Sequence, residues 1–165
     1  MLKAAKRILL ELHKLKSEMS DEIWLKTMAD DIRCWVGVIK GPDDTPFSGN
    51  YFKIDIRIPE NYPLDPPVVK FITPIFHPNI HFKRGEICLD ILKTEWTPAW
   101  SIFSLCTAIR LLMANPVPDS PLNTLAGNLL RCGDNVGYQS MASMYANALS
   151  LKKNTIREEE LSKPQ

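Results

Sequence analysis

No run of apolar residues in this 165-residue sequence approaches the roughly 20 residues that a membrane-spanning helix needs. The first residues, Met1 to Arg7, lead into a charged segment and lack the apolar stretch of a secretory signal. The net charge is only +1, which gives the chain no overall attraction to nucleic acid or to an anionic membrane. We therefore expect a cytoplasmic protein without a membrane span and without a nucleic-acid ligand.

Cysteine is sparse, and its spacing argues against several kinds of site. The cysteines are Cys34, Cys88, Cys106 and Cys132, and they form neither a Cys-x-x-Cys pair nor a metal-ligand spacing. We therefore predict reduced thiols and no metal site. The motifs Gly-x-x-x-x-Gly-Lys and Gly-x-Gly-x-x-Gly are also absent, so the common phosphate-binding loops are missing and no bound cofactor is expected.

The residues that are present suit one soluble domain, with 45% apolar and 24% charged side chains. Residues 2–19 have apolar side chains at the spacing of a helix, namely Ala5, Ile8, Leu9, Leu12, Leu15 and Met19. Four short β-rich runs follow, at Ile23–Met28, Ile32–Ile39, Tyr51–Arg57 and Val68–Thr73. Gly, Pro and Asp separate these runs and supply tight turns, which predicts an antiparallel meander.

The second half of the chain begins with a long segment of little periodicity, residues 74–100, and loops of this length are usually functional. Three helices are predicted after it, at Ser101–Met113 with Ser101 as its cap, near Leu122–Arg131, and at Asn135–Leu151. Gly133 lies between the last two, where a helix would stop. The whole pattern predicts an α+β fold.

Cys88 is the candidate reactive residue of the long loop, although a cysteine between Ile87 and Leu89 is more often a small buried hydrophobe. Catalytic thiols usually need a base or a cation to form the thiolate, and the nearest histidines, His77 and His81, lie earlier in the loop. The surroundings of Cys88 therefore suit a thiol that carries a cargo better than the thiol of a self-sufficient hydrolase.

Several motifs follow one another along the chain: Tyr62-Pro63-x-x-Pro66-Pro67, His77-Pro78-Asn79, Cys88-Leu89-Asp90-Ile91-Leu92, Trp96-x-Pro98 and Pro118-Asp119-Ser120-Pro121-Leu122. In this order they resemble the ubiquitin-conjugating enzymes. The chain looks most similar to the peroxisomal branch, through His81-Phe82-Lys83-x-Gly85-Glu86-Ile87-Cys88, Trp96-Thr97-Pro98-Ala99-Trp100 and Asp119-Ser120-Pro121-Leu122-Asn123. The resemblance implies the ubiquitin-conjugating fold, with an N-terminal helix, a four-stranded antiparallel meander, an active-site loop and about three C-terminal helices. Residues 1–150 would be the catalytic domain, and residues 151–165 the end of the last helix or a flexible tail.

The resemblance implies that Cys88 receives the C-terminus of ubiquitin from a ubiquitin-activating enzyme by thioester exchange. That partner uses the ATP, which agrees with the missing phosphate-binding loops. A thiol that attacks an activated acyl group needs exposure and alignment more than a strongly lowered pKa. An acceptor, usually a lysine amine, then attacks the thioester carbonyl and creates a tetrahedral oxyanion.

Asn79 is the candidate donor to that oxyanion, because it stands at the family's His-Pro-Asn position. A fixed amide donor contributes roughly 2.7–4 kcal/mol to a step of this kind. The alternative is that the Asn79 amide stiffens the loop. His77 is predicted to be structural, because a general base must reach the proton that it removes. Cys88 follows Asn79 by nine residues where most relatives have eight, which leaves their relative geometry open.

Asp119 and Ser120 are the candidate residues on the acceptor side. Many relatives have Asp at the position of Ser120, where a carboxylate orients and deprotonates the incoming lysine, and a hydroxyl has no charge at neutral pH. Asp119, or phosphorylation of Ser120, would supply the charge. Two alternatives are that both residues only cap the helix near Leu122, and that the acceptor is a cysteine, which loses its proton more easily than an amine.

The family's partner contacts are carried over to Lys6, Arg7, Leu64, Pro98 and Ala99. Lys6 and Arg7 are expected to contact the activating enzyme and a RING-type ligase, unless this basic face of the helix is only solvated. Leu64 and the pair Pro98 and Ala99 lie in the two loops that such ligases grip. Leu64 replaces the Phe of many relatives, which should alter partner choice more than fold.

The resemblance implies a monomer that passes ubiquitin to a peroxisomal import receptor. A membrane tether would hold it at the cytosolic face of the peroxisomal membrane. Three alternatives stay open: a general conjugating enzyme of protein turnover, a carrier of a ubiquitin-like modifier, and an inactive ubiquitin-binding variant.

Overall fold

The computed structural model describes residues 2–18 and 20–153. Helix α1 (Leu2–Glu18) is followed by the strands β1 (Ile23–Met28), β2 (Asp31–Lys40), β3 (Tyr51–Arg57) and β4 (Val68–Phe71). A short 3-10 helix (Asp90–Leu92) lies within the long loop, and α2 (Ile102–Ala114), α3 (Thr124–Arg131) and α4 (Asn135–Leu149) follow. The predicted α+β fold is confirmed. Met19 and residues 154–165, the greater part of the predicted tail, lie outside the described residues.

The sheet is an antiparallel meander in the order β1-β2-β3-β4, as predicted. Ile54 in β3 lies opposite Gly37 in β2 and Phe71 in β4. Along β3, Ile54 and Ile56 are fully buried while Arg57 is exposed, because alternate side chains point to opposite faces of a strand. The buried face of the sheet and the apolar side of α2 form one core.

Helix α1 turns a different stripe toward the core than the apolar spacing predicted. Its buried residues are Ala4, Ile8, Glu11 and Leu15, which share one side of a helix. Leu9, predicted for the apolar face, is 57% exposed. A carboxylate, Glu11, therefore lies in the buried stripe of this helix among apolar side chains.

Strand β4 and helix α4 both end two residues earlier than predicted, and side-chain or backbone competition explains each. Strand β4 ends at Phe71 because the Thr73 hydroxyl accepts the Lys53 N–H at 2.9 Å and replaces a ladder bond. Helix α4 ends at Leu149, and Leu151 instead exchanges backbone bonds of 2.9 and 3.2 Å with Tyr51 beside the sheet.

The predicted cap and stop residues are confirmed at two other helix ends. Ser101 caps α2 and forms a reciprocal capping box with Ser104. Gly133, with φ +76°, separates α3 from α4. Within residues 2–18 and 20–153, no helix has both the length and the apolar character needed to cross a bilayer.

Candidate active site

The segment that begins at His77 is buried and holds the long loop against α2. His77 Nε2 lies 3.0 Å from the Leu112 carbonyl oxygen, and Nδ1 accepts the Asn79 N–H at 3.1 Å. Because Nδ1 is an acceptor, the ring proton is on Nε2 and is donated to Leu112. Complete burial lowers the pKa of His77 to about 3, so the ring is neutral at neutral pH. The predicted structural role of His77 is confirmed.

Asn79 ties this segment to the chain that precedes α3. Its Nδ2 donates to the Val117 carbonyl at 2.7 Å, and its Oδ1 accepts the Val117 N–H at 2.8 Å. The side chain is only 4% exposed, so both bonds are shielded from water. The loop-stiffening interpretation of Asn79 is confirmed. An amide carries two N–H bonds, and an oxyanion would have to use the one that does not point to Val117.

A tight turn sets the position of Cys88 relative to Asn79. The His81 carbonyl accepts the Gly85 N–H at 2.8 Å, and the Cys88 N–H donates to the Asn79 carbonyl at 2.8 Å. Gly85 has φ +68°, and a Cβ atom there would lie 1.9 Å from the Phe71 carbonyl oxygen. Only glycine fits this position. With the nine-residue spacing, the Cys88 backbone is thus bonded directly to that of Asn79.

Cys88 differs from the other cysteines in its place within the long loop, although Cys34 is equally half-buried. It is half-buried, and its chain neighbour Ile87 lines a surface groove together with Leu92 and Leu122. Cys106 is fully buried in α2, and burial raises the pKa of its thiol to about 12. Within the described part of the chain, no group of three or more His, Cys, Asp or Glu side chains is placed to hold a metal ion.

Asp119 and Ser120 are both exposed, and neither caps the following helix. Helix α3 begins at Thr124, and its cap is Asn123, whose Oδ1 accepts the Ala126 N–H at 3.2 Å. The predicted cap at Asp119 and Ser120 is therefore wrong. The reason is that the N–H groups of Leu122 and Asn123 both donate to the Pro78 carbonyl, at 2.8 and 3.1 Å, and delay the start of the helix.

The two loops predicted to contact a ligase lie side by side. Leu64 is 74% exposed, and Pro98 and Ala99 are exposed as well. Trp96 joins the loops, because its indole N–H donates to the Pro63 carbonyl at 2.9 Å. Its ring also lies 6.0 Å from that of Tyr62. Trp96 therefore has a structural role beneath these loops.

The two predicted contact residues of α1 differ from each other. Lys6 is exposed, whereas Arg7 is half-buried and bonds within the protein. The Arg7 Nε donates to Glu11, and Nη2 donates to the Trp100 carbonyl at 2.8 Å. Sequence reasoning missed Glu11. The available signal was a carboxylate seven residues after Ala4 and three after Ile8, on the stripe that α1 buries.

Comparison with known proteins agrees with this geometry. The family model described as "Ubiquitin-conjugating enzyme" matches residues 7–146. The protein named PEROXIN-4 from Arabidopsis thaliana is 49% identical over 149 residues, which are 89% of this chain and 95% of that protein. Ubiquitin-conjugating enzyme E2 pex4 from Dictyostelium discoideum is 50% identical over 142 residues, which are 86% and 95% of the two chains.

A solved structure is similar over nearly the same extent. It is the H. polymorpha ubiquitin conjugating enzyme Pex4p in complex with the soluble domain of Pex22p, with a TM-score of 0.85 and 38% identity. The likeness covers 89% of this chain and 98% of that one. These matches include the meander, the loop with Cys88 and most of α4. The chain therefore belongs to the ubiquitin-conjugating enzyme family and is most similar to its peroxisomal members.

Proposed function

We propose that this enzyme carries ubiquitin as a thioester on Cys88 and passes it, with a RING-type ligase, to a peroxisomal import receptor. The observation that carries the proposal is the placement of Cys88. Its sulfur belongs to a half-buried residue beside a groove, and its backbone N–H is fixed to the Asn79 carbonyl at 2.8 Å. Acyl exchange with a second protein requires a thiol on a fixed residue that is not fully buried, as Cys88 is.

In the first step, the Cys88 sulfur attacks the thioester that joins ubiquitin to the activating enzyme. A bond forms between this sulfur and the C-terminal carbonyl carbon of ubiquitin, and the bond to the activating enzyme's sulfur breaks. That sulfur leaves with the proton lost by Cys88. ATP is consumed earlier, in the activating enzyme, so this chain is proposed to work without a cofactor of its own.

In the second step, an acceptor attacks the thioester carbonyl, and Asn79 donates to the oxyanion that forms. The two bonds to Val117 support this role, because they hold the amide in one orientation. A donor that is already oriented stabilises the developing charge without a reorganisation cost. Stiffening of the loop and donation to the oxyanion are therefore two consequences of one arrangement.

Asp119 and Ser120 are proposed to meet the incoming acceptor. Both are exposed, and the segment that carries them is joined to the His-Pro-Asn segment at two points. Val117 is bonded to Asn79 before them, and Leu122 is bonded to Pro78 after them. Asp119 supplies the negative charge that orients a lysine amine, and a cysteine acceptor would depend on that charge less.

The partner surface is proposed to consist of Lys6, Leu64, Pro98 and Ala99, with Arg7 behind it. Lys6 offers an exposed positive charge to the activating enzyme, and Leu64 with the two loop residues offers an apolar patch to a RING domain. We propose that the enzyme acts as a monomer.

The peroxisomal assignment is supported by the relatives named PEROXIN-4 and pex4. It is also supported by the H. polymorpha Pex4p structure, which contains the soluble domain of Pex22p. We propose that a tether of the same kind holds this chain at the cytosolic face of the peroxisomal membrane. Ubiquitin would then be transferred where the import receptor is embedded.

The thioester is tested by incubating the chain with ATP, ubiquitin and purified activating enzyme. We expect an adduct that disappears under reductant and is not formed by Cys88→Ala. Cys132→Ala is the matched control, because Cys132 is exposed at the end of α3 and should leave the adduct intact. An adduct that survives in Cys88→Ala would contradict the proposal. Binding of ubiquitin without any adduct would indicate an inactive variant. Preferential loading of another modifier would show that the cargo is not ubiquitin.

The location is tested by tagging the full chain in cells and by mixing it with a purified Pex22p soluble domain. We expect a stable complex and enrichment at peroxisomes. A diffuse distribution without complex formation would favour a general enzyme of protein turnover.

A further inference from the structure

Glu11 is a buried carboxylate whose contacts join three separate parts of the protein. It is 6% exposed and lies between Ile8 and Leu15 on the buried side of α1. A carboxylate at such a position is costly unless its oxygens accept hydrogen bonds, and an apolar residue would ordinarily fill the place. The contacts of Glu11 therefore need an account beyond core packing.

Each oxygen of Glu11 has partners in a different element. Oε1 accepts from the Arg7 Nε in the same helix, and it accepts the Tyr62 hydroxyl proton at 2.6 Å. Oε2 accepts the N–H of Ile102, the first residue of α2, at 2.8 Å. Glu11 thus satisfies one of the unpaired N–H groups at the start of α2 and orients the charge favourably toward that helix end.

Arg7 and Tyr62 complete a closed network around this carboxylate. The Arg7 guanidinium lies 5.9 Å from the centre of the Tyr62 ring, and its Nη2 donates to the Trp100 carbonyl at 2.8 Å. Burial, followed by the hydrogen bond to Glu11, raises the pKa of Tyr62 well above its usual range. Tyr62 therefore remains a hydroxyl donor to Glu11.

The atoms bound by this network stand next to the loop residues of the proposed ligase surface. Tyr62 is two residues before Leu64, and Trp100 directly follows Ala99. The Trp96 bond to Pro63 joins the same two loops at a second point. Glu11 and Arg7 consequently set the distance between Leu64 and the Pro98–Ala99 turn through their bonds to Tyr62 and Trp100.

We propose that Glu11 is a positioning residue for ligase-stimulated ubiquitin transfer, holding the Tyr62–Leu64 and Pro98–Ala99 loops at the spacing that a RING domain binds. This inference rests on the proposed function and adds to it a residue that touches neither the ligase nor the thioester. The same network gives Arg7 a way to act on the ligase surface through its bonds to Glu11 and Trp100 rather than as a surface contact.

The test is single-turnover discharge of the ubiquitin-loaded chain to free lysine with increasing amounts of an isolated RING domain. The RING domain is the member of a purified panel that stimulates the wild type most, and each rate is divided by the same variant's rate without ligase. We expect Glu11→Ala to raise the ligase concentration at half-maximal stimulation by about 10- to 100-fold, because small misplacements of binding groups have effects of this size. The maximal discharge rate at saturating ligase should change much less than this half-maximal concentration.

Two further variants separate positioning from loss of stability. Tyr62→Phe removes one hydrogen bond and keeps the ring, and combining it with Glu11→Ala should add little, because both act through one network. Ala146→Gly, in α4, destabilises a buried helical position outside the network and should leave the half-maximal concentration unchanged.

The outcomes distinguish this inference from the proposed function. If Glu11→Ala and Tyr62→Phe both behave like Ala146→Gly while the wild type is loaded and stimulated, the positioning role is wrong and the proposed function stands. If Glu11→Ala does not fold, the Tyr62→Phe shift decides the question alone. If the wild type is not loaded, or no RING domain stimulates it, the proposed function fails and this inference fails with it.

Discussion

At the scale of single residues, the long loop depends on side chains that form hydrogen bonds to main-chain groups. His77 and Asn79 carry the family's most recognisable motif, yet both use their polar atoms on main-chain groups of Leu112 and Val117. Cys88 is held by its N–H rather than by an adjacent base. The proposed thioester exchange therefore depends on geometry that these bonds maintain, as expected for an acyl group that arrives already activated.

The two roles of Asn79 can be separated by substitution. Asn79→Ala removes both bonds to Val117 and the oxyanion donor, so discharge to lysine should fall by about 100-fold or more. Its free energy of unfolding should fall by about 1–3 kcal/mol. Asn79→Asp keeps the acceptor for the Val117 N–H but has no N–H to donate. We expect Asn79→Asp to discharge as slowly as Asn79→Ala although it is less stable in urea unfolding, because its carboxylate would be buried against the Val117 carbonyl oxygen. Discharge in proportion to stability in the two variants would contradict the oxyanion role.

Ser120 offers a gain-of-function test of the acceptor side. Ser120→Asp adds a carboxylate where many relatives have one, and it should raise discharge to free lysine roughly tenfold, below the full effect of an optimised general base. Loading by the activating enzyme should not change, because Ser120 is exposed on another segment than Cys88. Ser120→Asn is the uncharged control. An unchanged single-turnover rate in Ser120→Asp would discard the proposed role, and faster discharge to cysteine than to lysine in the wild type would favour a thiol acceptor.

At the scale of elements, the unusual turn before Cys88 is the part that glycine makes possible. Gly85 and Gly49 both have positive φ angles, +68° and +74°, but they differ in surroundings. A Cβ atom at Gly85 would lie 1.9 Å from the Phe71 backbone. A Cβ atom at Gly49 would have no atom within 4 Å other than those of its chain neighbours. The two positions therefore separate the cost of the left-handed conformation from the cost of a steric clash.

Gly85→Ala and Gly49→Ala form a matched pair of variants. Gly49→Ala should lower the free energy of unfolding by about 1–2 kcal/mol, the cost of a left-handed residue with a side chain. Gly85→Ala should cost about 1–3 kcal/mol more, because the Phe71 carbonyl must move, and it should also slow the loading of Cys88. Urea unfolding and the loading assay measure the two effects. Equal losses in the two variants would show that the turn has room for a side chain.

The start of α3 gives a second test at this scale. Asn123→Ala should lower the free energy of unfolding by about 1 kcal/mol through loss of the cap, and Asn123→Asp should restore it. Asp119→Ala should stay within about 0.5 kcal/mol of the wild type, as expected for an exposed residue without such a role. If Asp119→Ala destabilises the protein more than Asn123→Ala, the cap has been assigned to the wrong residue.

At the scale of the whole molecule, the long loop is bonded both to α2 and to the segment before α3. His77 joins it to α2, and Val117 and Leu122 join it to the segment before α3. Because a small domain unfolds cooperatively, a change at one of these buried bonds is measured in the stability of the entire protein.

His77 should make the stability of the protein depend on pH. Its pKa is about 3 in the folded protein and 6.5 when the ring is solvated, so between these values the unfolded chain binds more protons. Stability should therefore be complete above the unfolded pKa and decline as the pH falls from about 6.5 toward 3, by at most about 1.4 kcal/mol per pH unit. His77→Gln lacks this titration. We expect the difference in unfolding free energy between wild type and His77→Gln to shrink over this range, and a constant difference would show that the ring is not buried and neutral.

Much of the fold was predictable from sequence because its signals are local. The β-rich run Tyr51–Arg57 identified strand β3 with its bounds, and Ser101 identified the start of α2. The start of α3 was predicted too early, with its cap at Asp119 and Ser120. A local pattern cannot reveal that the Pro78 carbonyl binds the N–H groups of Leu122 and Asn123. The prediction for Arg7 was incomplete for the same reason, because its partner Trp100 is distant in the sequence.

The sequence by itself determined the order of helices and strands and the family, because periodicity, turn residues and short motifs lie within a few residues of one another. Only the tertiary structure decided what Asn79 and Glu11 do. The partners of Asn79 lie 38 residues away, and those of Glu11 lie 51 and 91 residues away. Such pairs form when the elements pack, and the low-dielectric interior makes a buried polar group depend on the partner that packing supplies.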